Sequence, residues 1–119
     1  MKMKLLFLLP FLSSYVWADV LEVRLYAPIP GSSAELMQHA SEARSIQAKL
    51  GGQVVVATDR RGRLHYANAY KNWVGWAAFQ EKLEASDEWS NFAQQVEAAP
   101  SGTLEAHYLV NQVAPMLPS

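Results

Sequence analysis

The sequence has no cysteine. Disulfides, thiolate metal sites and cysteine nucleophiles are therefore excluded, as is a lipid-modified cysteine behind an export signal. Basic residues are also few: ten Lys and Arg stand against eleven Asp and Glu, for a net charge of −1. A nucleic-acid binder would normally be basic, so the balance argues against that class. The only basic cluster is Arg60, Arg61 and Arg63 around Gly62, which reads as a solvated turn. A glycine-rich phosphate loop, a Walker lysine and a serine-nucleophile motif are all missing. No cofactor and no metal site is expected from such a chain.

Long apolar runs are scarce as well. The single candidate is Leu5 to Leu12, interrupted by Pro10 and preceded by Lys2 and Lys4. It is too short for a bilayer span, which takes about 20 residues. Ser13, Ser14 and Val16-Trp17-Ala18 follow it, giving the basic start, apolar centre and small-residue end of a secretory signal peptide cut after Ala18. The expectation is a leader over 1–18, one domain over 19–113 and a frayed tail over 114–119. Cleavage removes two lysines and no acid, taking the net charge from −1 to −3. Export implies a periplasmic or secreted protein with no stable membrane anchor once the leader is gone.

The remainder reads as alternating strands and helices. Val20 to Ala27 alternates, with Leu21, Val23 and Leu25 on one side and Glu22, Arg24 and Tyr26 on the other, as in a half-buried strand. Ser32-Ser33-Ala34-Glu35 matches a capping box. It opens a helix to about Leu50, with Leu36, Ala40 and Ala43 along one face and Gly51-Gly52 as the stop. Gln53 to Asp59 contains three successive valines, and Arg60 to Arg63 turns the chain into a returning strand, Leu64 to Tyr70. Asn72 can cap a second helix carrying Trp76, Phe79 and Leu83. A break near Ser86 and Asp87 precedes Trp89, Phe92 and Val96. Thr103 to Val113 alternates as a last strand. The order is β-α-β-β-α-β, the split βαβ arrangement of an α+β, ferredoxin-like fold. It places two helices on one face of a four-stranded antiparallel sheet of order 4-1-3-2.

One sheet face must meet the helices. The small residues Ala67 and Ala69, with Leu21, Val23 and Leu25, suit that role. The open face is then expected to carry Tyr66, Asn68 and Tyr70 beside Glu22, Arg24 and Tyr26, with Glu105 and His107 from the last strand. His65, at the strand start, is expected on the helix side. Three tyrosines left in water are uncommon, and a second copy of the same face would cover them. A homodimer closing over a semi-polar cavity is the consequence.

The stretch KNWVGWAAFQEKLEASDEWSNFAQQV, Lys71 to Val96, followed by a strand beginning SGTLE, resembles the dimeric α+β barrel superfamily. Its antibiotic-biosynthesis-monooxygenase-like proteins are the nearest. The resemblance implies the same element order, an aromatic-rich second helix and face-to-face pairing of sheets. Some members oxidise polyketides without a cofactor and others degrade haem. Haem-degrading members use an asparagine on the first strand, a tryptophan, and a histidine on the second helix. Here the first strand carries Glu22 and Arg24, and Lys82 and Leu83 stand where that histidine would fall. The three histidines are His39, His65 and His107.

Three readings follow. The leading one is a binding protein whose cavity, formed by Glu22, Tyr26, Tyr66, Asn68, Tyr70 and Glu105, takes a small apolar or aromatic molecule between the sheet and its partner. The second is a cofactor-independent monooxygenase-like enzyme, with His107 as base and Arg24 as the cationic group. A buried ion-pair cluster would look the same in sequence. The third is a structural or partner-binding module whose sheet face is filled by its own side chains. His39, with Glu35 and Glu42 within a turn, has spacing permissive of a surface metal and fits a solvated helix face better.

Overall fold

The computed structural model describes residues 20–111. The proposed leader over 1–18 and tail over 114–119 lie outside them. Strand β1 is Val20–Pro28, helix α1 is Ser33–Lys49, and strands β2 and β3 are Gln53–Thr58 and Leu64–Tyr70. Helices α2, Trp73–Ala85, and α3, Asp87–Ala98, precede strand β4, Gly102–Asn111. The sheet is antiparallel throughout, with order β2-β3-β1-β4. This is the α+β ferredoxin-like arrangement, its second helix divided in two. None of the described helices is long and apolar enough to cross a membrane.

Local chemistry sets the boundaries. Helix α1 ends in a Schellman motif: Gly52 N–H donates to the Gln47 carbonyl at 2.8 Å and Gly51 N–H to that of Ala48 at 3.0 Å. Gly51 takes the positive φ of 92° that this requires. In the β2–β3 hairpin, Asp59 Oδ1 accepts from the amides of Arg61 and Arg63 at 2.8 and 3.1 Å. Asn72 caps α2 by accepting from Gly75 N–H at 2.8 Å. Ser86 separates α2 from α3 because its extended ψ of 114° interrupts the helix, while its hydroxyl accepts from Trp89 N–H at 3.1 Å. The expected capping box at α1 is absent. Ser32 makes no side-chain cap bond, and Glu35 points along the helix toward His39, 3.9 Å away.

The faces of the sheet are the reverse of the sequence expectation. Val20, Glu22, Tyr66, Asn68 and Tyr70 are buried beneath the helices. Leu21, Val23 and Leu25, paired across the ladder with Ala69, Ala67 and His65, occupy the uncovered face. Val55, Tyr108 and Val110 join them there, 63%, 48% and 40% exposed. His65 sits on that uncovered face with Asp59 3.0 Å from its Nε2, not on the helix side. The reason is volume. The buried stripe of α1 contains Ala40 and Ala43, so the large side chains must come from the sheet, and interiors tolerate few voids. Tyr66 projects into that space and packs with Leu36, Ile46, Leu64 and Phe92. A second cluster of Val20, Tyr70 and Phe79 lies beneath α2.

Candidate functional site

A cleft of about 670 Å3 opens between the sheet and the helices. Its floor comes from β1 and β3: Glu22, Arg24, Tyr26, Tyr66, Asn68 and Tyr70. Because side chains alternate along a strand, residues two apart share a face. The ladder then places Glu22 opposite Asn68, and Arg24 opposite Tyr66. Leu36, Ala40, Ala43 and Gln47 of α1 form one wall, and Trp89, Phe92 and Val96 of α3 form the roof. Six of the eight residues expected to form a site therefore do converge, but under the helices rather than beneath a partner sheet.

Glu22 is the polar centre of the floor. Only 3% exposed, its carboxylate is met on both oxygens. Oε1 accepts from Tyr70 Oη and from Trp76 Nε1, each at 3.3 Å. Oε2 lies 3.2 Å from Arg24 Nη2 and 2.8 Å from His107 Nε2. An ionised carboxylate only accepts, so the His107 tautomer matched to Glu22 Oε2 is the one that donates from Nε2. Four partners on one buried carboxylate meet the condition under which such a charge is tolerated. Burial, and then the Glu22 charge, push the Tyr70 hydroxyl up to about 12. Burial likewise raises Tyr66 and Tyr26. All three phenols hold their protons and act as neutral donors or acceptors.

The two expected catalytic residues, His107 and Arg24, thus share Glu22 Oε2. Arg24 reaches the cleft. His107 stands behind Glu22 and does not line the cleft. Glu105 belongs to neither group. Leu25 pairs with Ala106 and Tyr26 with Leu104, which leaves Glu105 as the extra residue of a β-bulge. Its carboxylate pairs with Arg63 Nε at 2.7 Å, so it neither forms part of the cavity nor orients His107.

Two partners were missed from sequence. Gln47 accepts on Oε1 from Tyr66 Oη at 2.8 Å and from Asn68 Nδ2 at 2.9 Å. It falls at the spacing of Leu36, Ala40 and Ala43, and a glutamine interrupting an apolar stripe was the available signal. His39 turns its Nδ1 to the buried Ser101 Oγ at 2.7 Å, against the expectation of a solvated helix face. That contact spans the fold from α1 to the start of β4 and had no local signature. Among the described residues no cluster of three metal-ligating side chains occurs.

No protein-family profile and no curated protein matches the sequence. Solved structures do match the fold. An uncharacterized NIPSNAP domain protein from Burkholderia xenovorans superposes with a TM-score of 0.64 at 20% identity, covering 84% of this chain and 99% of that one. A NIPSNAP family protein from Agrobacterium tumefaciens gives 0.62 at 17%, covering 87% and 89%. A Pseudomonas aeruginosa protein gives 0.55 at 12%, covering 86% and 97%. At these identities the likeness is one of fold, and it agrees with the α+β architecture described above.

Proposed function

We propose that this chain is an exported binding protein of the dimeric α+β barrel type, related to the antibiotic-biosynthesis-monooxygenase-like group, which takes a small, partly aromatic molecule into the cleft beneath its helices. The carrying observation is the cleft itself. Its volume of about 670 Å3 falls in the range of small-molecule sites, and it combines an apolar wall and roof with a few fixed polar groups. The NIPSNAP-named neighbours share its fold, and the leader pattern over 1–18 supports export to the periplasm or beyond.

The homodimer belongs to the same reading, with its chemistry revised. The uncovered face is apolar, rich in Val, Leu and Ala. A second copy of the chain buries it as a dry contact, and the ligand sits on the opposite side of the sheet. An enzymatic variant is supported by one observation: Arg24 and His107 meet on the Glu22 carboxylate. His107 acts on a cleft-bound substrate only through Glu22, since it does not line the cleft, so binding is the better-supported role.

Native mass spectrometry of the protein purified gently from its own export compartment tests this. The expected result is a dimer carrying added mass that is lost when Tyr66 and Phe92 are both replaced by Ala. A dimer with no added mass, unaltered by extracts of the producing cell, contradicts the binding role. A monomer contradicts the pairing of sheets.

A further inference from the structure

At the bottom of the cleft two carboxamides are joined by one hydrogen bond, from Asn68 Nδ2 to Gln47 Oε1 at 2.9 Å. Tyr66 Oη takes the second lone pair of that oxygen at 2.8 Å. The oxygen is then saturated. The other atom of each amide, Asn68 Oδ1 and Gln47 Nε2, lies outside this bond. Asn68 is 2% exposed, and its Oδ1 is buried with no partner among the described residues. Gln47 is only 3% exposed, and its Nε2 is the second arm of the same carboxamide. Both residues line the cleft. A buried acceptor without a donor is rare in native proteins and calls for an explanation.

We infer that the occupant carries an N–H beside a carbonyl on one flat edge, the edge of a lactam or cyclic amide. Its N–H meets Asn68 Oδ1 and its carbonyl takes Gln47 Nε2, while its apolar body lies between Ala40, Ala43 and Phe92. This deepens the binding role proposed above and rests on it. The network also explains why the acceptor stays available. Tyr66 and Asn68 Nδ2 both donate to Gln47 Oε1, so turning the glutamine alone would set its Nε2 against Asn68 Nδ2, donor to donor. Neutral phenols suit such a ligand, since the floor offers no free carboxylate to repel a carbonyl.

The test compares two bicyclic probes of the same shape, 2-quinolone and coumarin, which differ by N–H against ring oxygen. Each is titrated into the purified protein by calorimetry. The wild type is expected to hold 2-quinolone about tenfold or more tighter than coumarin, because a polar site rejects an analogue that leaves its group unmatched. Asn68→Leu is expected to bind the two alike. Equal affinities in the wild type overturn the lactam edge and leave the cleft as a binding site. A preference that survives Asn68→Leu overturns the assignment to Asn68. Binding of neither probe up to its solubility limit, with no added mass on the native protein, overturns the edge together with the cleft. The wild-type comparison stands by itself if Asn68→Leu does not fold.

Discussion

Replacing Glu22 by leucine should damage this protein in a way that reveals who its partners are. The side chain is buried and met by four groups. Arg24 and His107 keep 30% and 38% of their side chains exposed, so both rehydrate when the carboxylate is lost, and their share is small. The cost falls on Tyr70 Oη and Trp76 Nε1. A donor left unmet in a protein interior costs about 1–3 kcal/mol. Tyr70 is 8% exposed and Trp76 half-buried, which gives about 3 kcal/mol for the pair. A domain of this size loses about 4–8 °C of Tm per kcal/mol, so the expected fall is about 12–24 °C. The assay is thermal unfolding of Glu22→Leu, Tyr70→Phe and the double variant. In the wild type Tyr70→Phe should cost about 1 kcal/mol by removing a hydrogen bond. With Glu22 gone it should cost little or stabilise, because it removes an unmet O–H donor whose oxygen keeps only the long 3.5 Å contact from Gln80 Nε2. Equal costs in the two backgrounds, with a coupling below about 0.5 kcal/mol, would refute the view that Glu22 is held by Tyr70.

Alkaline pH probes the same floor. Tyr70 titrates at about 12 in the fold against 10.0 ordinarily, so the folded state keeps a proton that the unfolded chain loses. The stability this contributes is present below pH 10 and declines as pH rises toward 12. Denaturation midpoints between pH 9 and 11.5 should show that decline, and Tyr70→Phe should make it shallower by one tyrosine's share, Tyr66 and Tyr26 supplying the rest. Gly52→Ala should lower stability by about 1–3 kcal/mol, since an added Cβ would stand 2.8 Å from Phe79 Cζ and 2.9 Å from the Gln47 carbonyl oxygen. An unchanged Tm would mean that α2 shifts freely. Val55→Asp together with Tyr108→Lys should convert a dimer to a monomer in sedimentation while leaving the circular dichroism intact. A persistent dimer would place the interface elsewhere.

Element order, strand order and the break at Ser86 were legible because they rest on local chemistry: alternation, capping side chains, and glycines at positive φ. The identity of the buried sheet face was not. Both alternations of Leu64–Tyr70 carry apolar atoms, so hydrophobicity alone does not choose between them. The choice was made by size within the strand, placing Ala67 and Ala69 under the helices. The structure decides it by size across the gap, where Ala40 and Ala43 on α1 leave room for Tyr66. The grouping of six of the expected site residues survived that inversion because Glu22, Arg24, Tyr26, Tyr66, Asn68 and Tyr70 lie on adjacent strands with one parity, and they move together whichever way the sheet faces. Glu105 did not follow, because the bulge between β1 and β4 changes parity without leaving a mark in the sequence. Gln47 and Ser101 act through contacts across 21 and 62 positions, beyond the reach of any local pattern.

The break at Ser86 has a consequence for how such a molecule would diversify. The floor of the cleft is welded into two central strands and cross-linked by buried hydrogen bonds, so substitutions there trade directly against folding. The roof is a separate twelve-residue helix, joined to its predecessor by a single extended residue and facing the cleft through Trp89, Phe92 and Val96. Changes in the partly buried Trp89 and Val96 would reshape the volume admitted, while Phe92, packed in the core with Tyr66, keeps the floor in place. A lineage built on this plan could drift across molecules of different outline while keeping one mode of attachment, and a designer seeking a new cargo should randomise Trp89 and Val96 and leave Phe92, β1 and β3 alone.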